Sequence, residues 1–180
     1  MILLSFYIFF FVLVIVIGAM AAYSDVRGLV IANWYSGAVI GLFFACYIVM
    51  YVSGRADVFA PIWLHFLASF IVFIVTLLMF LGGGLGAADS KLGSAFALWT
   101  GMGGLFSFLF YMALIGGLVG LFALFVQKKK PFKSPVEGGW IARVQAGESK
   151  VPYGVAIFGG AVISFFTSGY FSPVVLTSFL

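Results

Sequence analysis

Only five of the 180 residues are acidic, and two of them, Asp25 and Asp89, stand where long apolar sequence meets polar sequence. A carboxylate within or bordering hydrocarbon costs at least about 2.5–3.5 kcal/mol on insertion scales, so each such position needs a physical reason. Asp57, Glu137 and Glu148 fall in polar connections and have one. When two carboxyl groups approach within a few ångströms they cannot both ionise cheaply, so one keeps its proton while the other stays charged. The charged member can take a proton from a water as that water attacks a peptide carbonyl, and the neutral member can protonate the carbonyl oxygen. This chemistry needs neither a nucleophilic side chain nor a metal. No metal or cofactor is expected: Cys46 is the single cysteine, and His65 has no companion ligands near it in the sequence.

The same acids also fit a plainer arrangement, in which Asp25 pairs with Arg27 and Asp89 with Lys91 as interfacial ion pairs. Charge placement alone leaves both arrangements open. The run Gly82-Gly83-Gly84-Leu85-Gly86-Ala87-Ala88 before Asp89 lets backbone approach closely and leaves an open groove for an extended peptide. A carboxylate at the start of the helix that follows also feels the positive end of the helix dipole.

The elements that must bring these acids together are read from composition. The chain is 64% hydrophobic and 8% charged, with a mean hydropathy of +1.26, whereas a soluble domain is about half apolar and a quarter charged. The net charge of +4 forms no basic stripe interleaved with exposed aromatics, so nucleic acid is not an expected partner. The first apolar run lacks a preceding positive residue and exceeds the length of a signal core, so it reads as a retained helix.

Stretches long enough to cross about 30 Å of hydrocarbon predict an all-α polytopic membrane protein, a single domain over residues 1–180. Six spans are expected, near 2–22, 34–52, 61–81, 86–103, 105–127 and 151–172, with a cytoplasmic loop over 128–150. The fourth and fifth come from one long stretch hinged near Gly101-Met102-Gly103-Gly104, because that division puts eight of the nine basic residues on one side and leaves only Arg55 opposite. Asp25 and Asp89 then share the cytoplasmic face, with Asp89 in the first turn of its helix. The Lys128-Lys129-Lys130 run reads as a topology anchor on anionic lipid, Gly116 and Gly120 as close helix packing, and His65 as interfacial on the opposite side.

Three segments resemble the type IV leader peptidases, or prepilin peptidases, membrane aspartic proteases known by a Gly-x-Gly-Asp motif. Ser24-Asp25-Val26-Arg27 with Ile31-Ala32-Asn33 resembles Asp-x-Arg followed by Ile-Pro-Asn, and Gly86-Ala87-Ala88-Asp89-Ser90-Lys91-Leu92 resembles Gly-x-Gly-Asp-x-Lys-Leu. Val151-Pro152-Tyr153-Gly154 resembles the Pro-Tyr-Gly that opens the last span. Ala88 and Ala32 stand at the motif's second glycine and its proline, and both are small.

The resemblance implies that Asp25 and Asp89 are the catalytic pair, with Arg27, Asn33, Gly86, Ala88, Lys91, Pro152 and Gly154 in support. It also implies a bacterial inner-membrane enzyme that removes the basic leader from prepilins or pilin-like precursors at the cytoplasmic surface, for pilus assembly. One cysteine and no room for a methyltransferase domain resemble the short form found in tight-adherence, Flp-type pilus systems. Two other readings stand beside it: a non-cleaving relative that binds pilin-like helices, and a transporter that uses the two acids as a proton or cation relay. The relay has no visible path, because the other spans carry no ionisable residue at mid-depth.

Overall fold

The computed structural model describes all 180 residues, and all of its regular secondary structure is helical. Its elements are α1 (Ile2–Gly28), α2 (Asn33–Val52), a 3-10 turn (Ala56–Val58), α3 (Ile62–Leu81), α4 (Ala87–Lys129), α5 (Trp140–Gln145), α6 (Tyr153–Thr167) and α7 (Pro173–Thr177). Four helical stretches are long and apolar enough to cross a membrane: α1, α2, α3 with its preceding turn, and α4. The chain is a multi-pass membrane protein.

α1 runs six residues beyond the expected end of the first span, to a left-handed residue, Leu29, whose N–H donates to the Asp25 carbonyl at 2.7 Å. At 1.5 Å per residue the helix is about 40 Å long, more than the roughly 30 Å of hydrocarbon. Its last turn carries Asp25 and Arg27. At the start of α2, Ala32 has φ −68°, a value proline itself would adopt.

Helix directions follow from their contacts. α3 and the first part of α4 run antiparallel, joined by Thr76 Oγ1 to Ser90 Oγ (2.7 Å), Ser69 Oγ to the Ser94 carbonyl (2.9 Å) and His65 Nδ1 to the Leu98 carbonyl (2.8 Å). At Gly101 the backbone leaves helical values (φ 59°, ψ −176°), within the expected hinge. Beyond it α4 runs back along α6: Ser164 Oγ donates to the Gly104 carbonyl at 2.9 Å, and Gly116 faces Tyr153 and Ala156. The two parts of α4 thus behave as separate, opposed segments. Gly116 packs closely as expected, whereas Gly120 has no neighbour within reach of a Cβ.

The conformation of Gly101 is one that essentially only glycine occupies, and a Cβ there would also lie 3.0 Å from His65 Cε1. Gly101→Ala is expected to destabilise the fold by about 1–3 kcal/mol, read as a lower midpoint of thermal unfolding in detergent. An unchanged midpoint would refute the hinge.

His65 differs from its interfacial expectation. It is fully buried between Phe43 and Phe59, because the missing side chain at Gly101 leaves room for the imidazole inside the bundle. Around it, Tyr7, Phe11, Trp99, Phe165 and Tyr170 form the aromatic heart of the end remote from the two acids. Three polar tips there find a carbonyl: Tyr7 Oη donates to Tyr170, Tyr170 Oη to Trp99, and Trp99 Nε1 to Val39. Arg55 closes this end, holding Asp57 and donating to the Ser178 carbonyl at 2.6 Å, so that it clasps the C-terminal segment.

Two boundaries also differ from expectation. α6 is 15 residues and stops at Thr167, five short of the expected end, because Gly169 turns the chain with φ 85° and Pro173 opens a new helix. The 128–150 connection is not a bare loop. α5 lies within it, docked by Trp140 and Val144 onto Ala123 and Val126 of α4, with Trp140 Nε1 donating to the Lys150 carbonyl at 3.0 Å.

Candidate active site

Asp25 sits in the last turn of α1 and is 5% exposed. Its Oδ2 accepts the Gly154 N–H at 2.7 Å. The first N–H groups of a helix have no partner within it, and α6 begins at Tyr153, so α6 spends one of these free donors on the acid. The absence of a side chain eases the approach, since a Cβ at 154 would lie 3.0 Å from Asp25 Oδ2 and 3.1 Å from Ile31 Cδ1. Pro152, which has no N–H to satisfy, is buried as the residue that caps α6.

Asp89 is the third residue of α4, as its expected first-turn position required. Its Oδ2 accepts the Gly86 N–H at 3.1 Å, the reach of an acidic side chain back to the residue that opens a helix. A Cβ at Gly86 would lie 2.6 Å from that oxygen, so a larger residue here would displace the carboxyl. Ala88 is helical, and positive φ among non-glycine residues is confined to Leu29 and Lys130. The alanine in place of the motif's glycine is therefore unstrained.

Both acids line one cavity of about 560 Å³, together with Gly83, Gly84 and Gly86 of the small-residue run and with Lys150 and Tyr153 from the far side of the chain. The plainer ion-pair arrangement is not formed. The single ion pair in the chain is Arg55 with Asp57, at the opposite end. Lys91 Nζ instead donates to Asn33 Oδ1 at 3.0 Å, tying the start of α4 to the start of α2, and Arg27 lies exposed over the Tyr23 ring at 5.4 Å. Asn33 braces through that bond and makes no cap.

A model of the type IV leader peptidase family matches residues 8–121, more than half of the chain, including both acids and the glycine run between α3 and α4. The chain belongs to the type IV leader peptidase family. Comparison with curated proteins and with solved structures returns no match. The family is one of proteases, and the shared region carries Asp25, Arg27, Asn33, Gly86, Ala88, Asp89 and Lys91. It ends before Pro152 and Gly154, so the contribution of α6 to this family member's site comes from the geometry alone.

Sequence reasoning missed two parts of the site. Lys150 counted only among the basic residues placed on one side and Tyr153 only within the Pro-Tyr-Gly resemblance, yet both line the cavity. Their adjacency to Pro152 and Gly154 was the available signal. Nothing in the sequence indicated that the Gly154 N–H would bind Asp25.

Proposed function

We propose that this family member is an aspartic endopeptidase that uses Asp25 and Asp89 to remove the basic leader from prepilins or pilin-like precursors at the cytoplasmic face of the membrane. The observation that carries the reading is the shared cavity: two carboxyls, 64 positions apart in sequence, face one space, and neither forms a salt bridge, although Lys150 lines the same cavity. A charged acid activates water and its protonated neighbour receives the carbonyl's developing charge. The glycine-lined wall leaves room for substrate backbone, and the cavity volume is that of an ordinary ligand site.

The membrane arrangement that suits this activity is six crossings, counting the two parts of α4 separately and including the short α6. The basic residues flanking the acids then lie on the cytoplasmic side. The test is mobility-shift cleavage of a co-expressed pilin-like precursor, with protein accumulation in the membrane followed in parallel.

Gly154→Ala probes the support of Asp25. The added methyl must push the carboxyl aside by a few tenths of an ångström, and misplacing a catalytic group by about 1 Å can cost about 100-fold. Cleavage is expected to fall about tenfold while the protein still accumulates. An unaltered cleavage rate would remove Gly154 from the site.

A further inference from the structure

On the opposite side of the α1 terminus from the two acids lies a second cavity, of about 460 Å³, lined by Tyr23, Arg27, Phe132, Ser134 and Trp140 among others. It shares Val26 and Trp140 with a third, almost wholly apolar groove of about 300 Å³, walled by Leu118, Val119 and Phe122 of α4 and by Val155 of α6. The two adjoin at these shared residues, as a recess with a cation in one half and hydrocarbon in the other.

Arg27 is held at the charged end by its position over the Tyr23 ring, and no acid pairs with it. A guanidinium offers a planar set of donors suited to phosphate oxygens. The Ser134 hydroxyl lines the same wall. Arg27 lies in the last turn of α1, a helix about 10 Å longer than the hydrocarbon is thick. The groove of Leu118, Val119 and Phe122 follows α4 back toward the bilayer interior, since α4 runs from Gly101 to its end beside Trp140. Lys128 and Lys129 in the last turn of α4, with Lys130 and Lys133 just beyond it, raise the local concentration of anionic lipid.

We propose that this recess is a binding site for an anionic glycerophospholipid, with the headgroup phosphate on Arg27 and one acyl chain along the α4–α6 groove. An amphipathic occupant accounts for both halves at once. A soluble phosphate would leave the apolar half empty, and a wholly apolar helix would leave Arg27 unpaired. The bound lipid would fasten α5 and its flanking segments to α1 and α4 through Trp140, which belongs to both halves of the recess.

The test is native mass spectrometry of the full-length protein released from detergent, with phosphatidylglycerol or phosphatidylcholine supplied at equal concentration. Phosphatidylglycerol is expected to be retained as a discrete one-lipid adduct in preference to phosphatidylcholine. Arg27→Gln is expected to weaken that retention by about tenfold or more, the effect of losing a charged hydrogen bond. Leu118→Trp, an exposed position that fills the groove without touching Arg27, is expected to weaken it as well. Lys129→Gln, which alters only the surrounding charge, is expected to leave the discrete adduct in place.

Equal retention of both lipids, unchanged retention in Arg27→Gln or in Leu118→Trp, or displacement of the adduct by millimolar inorganic phosphate would each overturn the site. The readout involves no cleavage, so its failure is separate from any failure of the peptidase reading.

Discussion

Replacing Asp89 by Asn is expected to yield a protein that folds and accumulates but leaves a co-expressed pilin-like precursor uncut, and Asp25→Asn is expected to do the same. Folding should survive because each carboxyl accepts one backbone N–H, Asp25 from Gly154 and Asp89 from Gly86, and an amide oxygen can accept the same bond. Activity is lost because an amide neither takes a proton from water nor gives one to a carbonyl oxygen at neutral pH. Proton transfer by a placed acid or base is worth about 100- to 10,000-fold, so each single variant should lose at least about 100-fold.

The double variant should lose little more than either single one, because the two acids act as a unit. Wild-type cleavage by either single variant would reject the pair. So would independent, additive losses.

Gly160→Ala is expected to destabilise the contact between α6 and the second part of α4. A Cβ at this position would lie 2.8 Å from the Met112 backbone nitrogen and 2.9 Å from the Phe108 carbonyl oxygen. These neighbours are main chain and cannot rotate away. α6 must therefore move off the second part of α4, at a cost of about 1–3 kcal/mol. Small residues at helix contacts in membranes serve this close approach, where van der Waals packing replaces the hydrophobic drive available in water.

Thermal unfolding in detergent should show the loss, with Gly117→Ala as the comparison, since a Cβ there meets nothing within 4 Å. Equal midpoints for the two variants would show that α4 and α6 do not meet at Gly160. A displaced α6 also carries Gly154 away from Asp25, so cleavage should fall with stability in this variant.

Several features were legible in the chain itself because they depend on local composition. Long apolar stretches too costly to place in water must be helices in lipid, where every backbone group needs an internal partner. The few acids stand out in such a background, so Asp25 and Asp89 could be singled out from cost alone. The small-residue run predicted both a close backbone approach and the start of α4, and the reversal near Gly101 followed from the placement of basic residues. Family membership was legible from three short segments, two of which lie within the matched region.

Other features depended on which surfaces meet, and sequence periodicity carries no information about that when helices are apolar on all sides. His65 could be placed along α3 but not assigned to the interior, because its burial depends on a gap left by Gly101 in another helix. The choice between ion pairs and unpaired acids was equally non-local. Arg27 and Lys91 are each two positions from an acid, yet two positions along a helix point to different sides, and the side chains found Tyr23 and Asn33 instead. The N–H that holds Asp25 comes from 129 positions away. Residue types thus determined what this protein can do chemically and where it must reside, while only the packing of α1, α4 and α6 decided which groups share the cavity, since convergence of distant segments is a property of the assembled bundle.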